Sequence, residues 1–323
     1  ALRSPIITEA PSSKNLRTVA KPIPLAPPVM IATFDSSLPL IISPRLASGC
    51  HCRSIMVLHA QESNYGRFMD LDLDGKQVVI TGGSKGIGLG CAVALAREGC
   101  EVQLAARDPA TLDQAESRIR DSVQGANVVK HSVDLATTRD QIALVNLVGD
   151  VDIWINNAGA IPAGDITTID EKTWRTAWDL KVFGYINLCR EIYPTMTKRG
   201  HGVIINVIGA AAVRPQPSYI AGAVGNSGLV GLTTALGSRS LNYGVRVVAV
   251  NPGLIVTDRM EDILRREAID QLNDEERWAE LIPDDPAPGS VEQCADVITF
   301  LASSRASHIS GTTLTIDGGA SAR

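Results

Sequence analysis

Nowhere in the 323 residues do about 18 apolar residues run together, so the sequence predicts no membrane-spanning helix. Excess positive charge is missing too. Lys and Arg number 30 against 35 Asp and Glu, a net charge of -5, which gives no electrostatic reason to expect nucleic acid or an anionic membrane as partner. The six cysteines lack metal-site spacing. Cys50-His51-Cys52 leaves one residue between thiols, whereas structural zinc sites keep roughly two to four, and Cys91, Cys100, Cys189 and Cys294 are scattered singly. The expectation is therefore no metal, free thiols and a reducing compartment. No fixed-period repeat is visible. What is present, 45% apolar and 20% charged residues, is ordinary usage for a folded globular chain.

The composition changes near Met69. Ahead of it, Arg3, Lys14, Arg17, Lys21, Arg45, Arg53 and Arg67 face only Glu9, Asp35 and Glu62, so residues 1–68 carry +4 while 69–323 carry -9. Eight of the 17 prolines also lie there, which forbids a continuous helix or central strand. Residues 1–68 are expected to be an extended or disordered N-terminal extension, either a basic, Ser-rich transit peptide or a dispensable upstream stretch, and 69–323 the folded domain. Leu46-Ala47-Ser48-Gly49-Cys50 resembles a lipoprotein cleavage site, but Pro39, Pro44 and Arg45 break the apolar stretch before it. The expected location is cytoplasmic, or an organelle matrix if the extension is a transit peptide.

From residue 70 onward, short β-branched runs alternate with segments of helical periodicity. The runs are 77–81, 101–105, 128–132, 151–156, 202–207, 245–251 and 312–317. Seven strands joined by helical crossovers predict a single α/β domain, a doubly wound seven-stranded parallel sheet of Rossmann type, whose ligand lies at the carboxyl ends of the strands.

The first strand runs straight into Thr81-Gly82-Gly83-Ser84-Lys85-Gly86-Ile87-Gly88 and then a helix. Glycines let the backbone turn sharply and approach a pyrophosphate, and a helix N-terminus offers unpaired N–H groups and the positive end of its dipole. A tight strand-to-helix turn needs glycines as well; the position directly after strand one favours the phosphate cradle. Strand two ends in Ala106-Arg107-Asp108. A fold that prefers the unphosphorylated dinucleotide puts a carboxylate there, on the ribose 2′-OH. Here the position is Ala106, and Arg107 with Lys85 can converge on a 2′-phosphate, so NADP is expected over NAD. Asp108 in a shifted register, with two merely solvated cations, is the other reading.

The order Thr81 to Gly88, Asp134-Leu135, Asn156-Asn157-Ala158-Gly159, Tyr219, Asn251-Pro252-Gly253 and Asp317-Gly318-Gly319 resembles the short-chain dehydrogenase/reductase family over essentially all of 70–323. The resemblance implies that Asp134 contacts the adenine amino group with Leu135 as its neighbour. It further implies that Asn156, Asn157, Ala158 and Gly159 shape the cofactor floor, and that Asn251, Pro252, Gly253, Ile255 and Thr257 border the nicotinamide, Thr257 beside its carboxamide. Close backbone packing explains each small residue equally well.

The catalytic pattern of that family is a Tyr, a Lys four residues later, a Ser ten or more residues earlier and an Asn on a preceding helix. Only the Tyr survives here. Counting from Tyr219, the Lys position is Ala223; 206–212 contains no hydroxyl; and Lys181 stands where the Asn belongs. Either the chemistry is lost, or the ammonium has moved to Lys181, which then lowers the pKa of Tyr219 from the neighbouring helix. Asn226, on the Tyr219 helix, is a candidate amide for an oxyanion or for Lys181, or a plain packing residue; the backbone N–H groups of Gly209 and Ala210 are a further candidate.

These residues predict an NADP(H)-preferring alcohol dehydrogenase or carbonyl reductase acting on a small molecule. A charged helical lid over 261–288 would bring Trp278, Leu281 and Ile282 either to the substrate or onto the body. The resemblance implies a homodimer or homotetramer built through helices 172–197 and 219–241. The alternatives are a catalytically silent NADP-binding regulator or scaffold, and a non-redox isomerase or dehydratase on the same fold.

Overall fold

The structure, a computed structural model, describes residues 69–323; the expected extension and its Cys50-His51-Cys52 lie outside the described residues. The seven strands are β1 (Gln77–Thr81), β2 (Glu101–Ala106), β3 (Val128–Ser132), β4 (Ile153–Asn156), β5 (Gly202–Val207), β6 (Val245–Pro252) and β7 (Thr313–Ile316). All pair in parallel in the order β3-β2-β1-β4-β5-β6-β7. The chain reverses its direction of winding between β1 and β4, which opens the crevice where such sheets take ligands.

The described residues form eight α-helices, α1 (Gly86–Arg97), α2 (Pro109–Ser122), α3 (Thr138–Val148), α4 (Glu171–Trp178), α5 (Gly184–Arg199), α6 (Ile220–Ser240), α7 (Asp258–Leu272) and α8 (Val291–Ala302), of which α1, α2, α3, α5, α6 and α8 pack on the sheet. Strand side chains alternate between faces, so Val78 and Ile80 join the core under α1, α2 and α8, while Val79 joins the core under α3 and α5. The four described cysteines are free and buried. Burial pushes the thiols of Cys100 and Cys189 up to about 12 and that of Cys294 up to about 11, which makes them inert packing groups.

Three features depart from the sequence expectations. The expected single helix over 172–197 is two helices, α4 and α5, joined by a π-turn at Asp179–Phe183 that contains Lys181. The segment 220–243 is long and apolar enough, by length and composition, to cross a membrane. Its inward face nevertheless carries Asn226, Thr233 and Ser240 and packs on β6, which is the behaviour of a core helix. The segment expected as a lid is α7 followed by a 3-10 segment, Glu275–Leu281; the Arg265 guanidinium of α7 lies 5.6 Å from the Trp278 ring centroid and pairs with Glu261 and Glu276. Trp278 thus ties the 3-10 segment to α7.

The open edge of the sheet holds a polar ladder. His131 on β3 shares a hydrogen bond of 2.8 Å with Gln103 on β2, and Gln103 donates to Gln77 on β1 at 3.4 Å. Burial lowers the His131 pKa below its ordinary 6.5. The unfolded chain therefore takes up this proton first, and the ladder's contribution to stability is lost as pH falls below 6.5. His131→Gln is expected to flatten the acid limb of stability between roughly pH 6.5 and 5; urea unfolding of parent and variant at the two pH values measures it.

Candidate active site

At the end of β1 the chain turns on Gly82, with φ +63°, a conformation that favours glycine. A Cβ on Gly82 would lie 2.9 Å from Ala158 Cα, and one on Gly88 would be driven into the Gly82 carbonyl. The loop is closed on itself by backbone contacts that only glycine allows. Thr81 accepts the N–H groups of Asn157 (2.9 Å) and Ala158 (3.1 Å) on its hydroxyl, and the Asn157 amide donates to the carbonyls of Thr81 (3.1 Å) and Gly82 (3.0 Å). Beyond this clamp α1 begins at Gly86 after Lys85, which makes no side-chain cap, and its first turn holds no acidic residue. Ser84, Lys85, Gly86 and Ile87 thus edge an uncapped helix N-terminus, the arrangement that fits a pyrophosphate.

Asn156 is not at the surface of this floor. It is buried in β4, where it accepts from Trp154 Nε1 (2.8 Å) and donates to Asn206 (2.9 Å), which in turn donates to Thr233 on α6 (3.0 Å). The chain of amides fixes β4 and β5 against α6.

Lys85 in the glycine turn and Arg107 at the end of β2 are exposed, and neither forms an ion pair among the described residues. Asp108 is committed elsewhere: its carboxylate accepts the Ala110 N–H at 3.0 Å and caps α2. The acid next in sequence to Arg107 is therefore a helix cap. Arg107 and Asp134 line one open cavity of about 650 Å³ beside β3. Asp134 accepts the Ala136 N–H at 3.1 Å, and the carbonyl of buried Leu135 accepts from Gln141 at 2.8 Å.

The loop after β6 comes back over the glycine turn. Pro252 ends the strand, the Gly253 N–H donates to Ile316 O at 2.9 Å, and Ile255 bridges to Gly289. Thr257 caps α7 by accepting the Met260 N–H (3.2 Å), and its methyl would lie 3.4 Å from a Cβ on Gly86. Sequence reasoning gave Thr257 a ligand role and missed its work as a cap; a Thr directly before the acidic turn Asp258–Glu261 was the available signal.

Lys181 projects from the π-turn between Gly159 and the end of β5. Its methylenes would crowd any Cβ on Gly159, with Cδ at 2.8 Å, and its Nζ donates to the Ile208 carbonyl. One residue on, Gly209 has φ +137°, and its N–H donates to Asn251 Oδ1 at 3.3 Å. Asn226, 2% exposed, points its Nδ2 at the Gly209 carbonyl (3.4 Å), while its Oδ1 and the Nδ2 of Asn251 have no hydrogen-bond partner. Tyr219 precedes α6 and is held by a bridge to Gly164; its ring lies against Gly222 and the cluster of Ile161, Ala177 and Ala221. The structure therefore gathers Lys181, Gly159, Asn226 and Asn251 around residues 208–209, with Tyr219 at the head of the helix that carries Asn226.

A glycine turn after β1, a polar clamp from β4 and a cation at the end of β5 define a Rossmann-type oxidoreductase frame. Residues 76–268 match the short chain dehydrogenase family, and the chain belongs to that family. The bovine dehydrogenase/reductase SDR family member 4 is 32% identical over 255 residues, 76% of this chain and 88% of the relative. Among solved structures, an L-sorbose reductase from Gluconobacter frateurii, complexed with NADPH and L-sorbose, superposes with a TM-score of 0.72 at 31% identity, over 77% of this chain and 98% of that one. A levodione reductase gives a TM-score of 0.72 at 27% identity, over 79% and 99%.

Proposed function

We propose that this protein is an NADP(H)-preferring oxidoreductase that interconverts a secondary alcohol and a ketone, with Tyr219 handling the proton and Lys181 supplying the cation beside it. The observation that carries this reading is the delivery of the Lys181 ammonium to the end of β5, next to Gly159, at the mouth of the crevice. When bound, the nicotinamide cofactor supplies or accepts the hydride. The chain's own residues do the rest. Gly82 to Gly88 and the α1 N-terminus hold the pyrophosphate. Lys85 and Arg107 select the 2′-phosphate, and Asp134 with Leu135 takes the adenine. Asn157, Ala158 and Gly159 form the floor, and Pro252, Gly253, Ile255 and Thr257 form the wall at the nicotinamide. Tyr219 donates its phenolic proton to the carbonyl oxygen as it becomes an alkoxide, or withdraws it in the reverse direction. Asn226, whose Nδ2 is directed at the Gly209 carbonyl, is the candidate amide on the helix that Tyr219 heads.

A panel of small ketones with NADPH tests the reading: consumption of NADPH with at least one ketone is expected. A specific observation favours a second reading, a catalytically silent NADP-binding regulator. Residues 206–212 carry no side-chain hydroxyl, so no serine is present to polarise a carbonyl. Under that reading NADPH raises the melting temperature and no ketone is turned over.

Phe183 and Val224 are about half exposed at the start of α5 and on α6. These are the helices through which we propose a homodimer or homotetramer forms. Light scattering at micromolar concentration is expected to give two or four times the chain mass; a monomer mass would refute this.

A further inference from the structure

The first two turns of α6 present Gly222, Ala223 and Asn226 to the protein interior. A Cβ on Gly222 would lie inside the Tyr219 ring, against its Cε1, Cζ and Cδ1. The Tyr219 phenyl thus fills the space of a side chain at 222, reaching it from one turn earlier. Four residues beyond Gly222 stands Asn226, and thirteen before it, by subtraction, stands Gly209. A Cβ at 209 would sit 3.0 Å from the Asn226 amide nitrogen, so a side chain at 209 would press on the buried amide at 226.

Read from Gly222, the four-residue position is occupied by an amide, and the preceding helix offers an ammonium. The family's arrangement has the ammonium on the later helix and the amide on the earlier one. Both groups converge here on neighbouring carbonyls, Lys181 on Ile208 and Asn226 on Gly209. Asn226 Oδ1 is left as a buried acceptor without a partner.

We propose that Lys181 and Asn226 are a reciprocal exchange of ammonium and amide between two facing helices, acting as one unit around residues 208–209, with the Tyr219 ring standing in for the side chain missing at 222. In this unit Lys181 is the charge beside the phenol and Asn226 is a positioning residue. The inference rests on the oxidoreductase reading for its chemistry, but not for its structural test. Ala223, the lysine position when the count starts at Tyr219, has no part in it.

The test is a double-mutant cycle on the full chain. Lys181→Asn removes the donor to Ile208, and Asn226→Lys brings a second ammonium to the same carbonyl pair; each alone is expected to lower the melting temperature. Lys181→Asn combined with Asn226→Lys is expected to recover about half or more of the summed loss, because the two sites couple. A second cycle with Lys181→Met and Asn226→Ala introduces no charge and is expected to be non-additive as well. Additive losses in this second cycle overturn the proposal, whether or not the charged variants fold.

A further readout needs no cofactor. The alkaline absorbance change that Tyr219→Phe removes is expected to shift to higher pH in Lys181→Asn and to return toward the parent position in the exchanged pair. An unmoved titration in both overturns the proposal. If coupling and titration behave as expected while the parent turns over no ketone, the oxidoreductase reading falls and the exchange stands.

Discussion

Lys181→Met is expected to lower kcat about 100-fold or more while leaving NADPH binding within a few-fold of the parent, since positioned acid–base groups contribute roughly 10²–10⁴ in rate. The physical reason is the charge state of the proton carrier. A phenol ordinarily ionises near 10, and a cation within about 4–6 Å favours its ionised form. Without Lys181, the pH at which Tyr219 can withdraw a proton from an alcohol moves upward. The alkaline side of the oxidation profile should follow it, so that the variant recovers part of its rate at high pH. Tyr219→Phe should lose the rate and show no recovery, because no proton carrier remains. Steady-state kinetics across pH, with cofactor affinity measured separately, distinguish these outcomes. A Lys181→Met enzyme that keeps both its rate and its profile would assign the activation of Tyr219 to another group.

Strand positions were legible because their signal is local. Buried parallel strands need β-branched runs, and β1, β3 and β5 begin and end at the residues the sequence marks. The glycine turn was legible because its spacing is itself a sequence pattern: Gly88 is required by contact with the Gly82 carbonyl six residues earlier, while Gly82 is required by Ala158 beyond β4. The π-turn at Asp179–Phe183 was not. Its residues continue a helical pattern, and the extra backbone residue is accommodated by tertiary packing that periodicity does not record. The capping roles of Asp108 and Thr257 were hidden by the same chemistry that made them ligand candidates, since an oxygen suited to a ligand is also suited to a helix N-terminus.

The residues proposed for catalysis were the least legible. The family's spacing, counted from the phenol of Tyr219, ends at Ala223. The structure shows where the ring goes rather than where its Cα sits, and the ring goes to Gly222. A glycine carries no chemical signal, so the position it vacates becomes visible only when another side chain is found in it. Lys181 and Asn226 were both singled out in the sequence, yet their common target at residues 208–209 depends on two helices and one strand end meeting in space.

NADPH is expected to raise the melting temperature more than NADH at equal concentration, and Arg107→Asp to reverse the order. With Asp108 held in the α2 cap, the end of β2 offers Arg107 and no free carboxylate to the ribose. A 2′-phosphate placed there gains a charge-assisted contact that a 2′-hydroxyl does not. In Arg107→Asp the sign inverts: the phosphate meets a like charge, and the hydroxyl gains an acceptor. A change of about 100-fold in either affinity corresponds to about 2.7 kcal/mol of linked stability at saturating ligand. For a domain of this size that is a displacement of roughly 5–10 °C, well outside the error of a melting curve. Arg107→Ala separates the two contributions, because it removes the attraction without adding repulsion and should bring the two cofactors close to parity. The alternative arrangement, with Asp108 reaching the ribose in a shifted register, predicts instead that Asp108→Asn weakens NADH specifically. In the arrangement observed, Asp108→Asn keeps a capping oxygen and should leave both cofactor shifts unchanged. Equal shifts with NADPH and NADH in the parent protein would remove the basis for an NADP(H) preference.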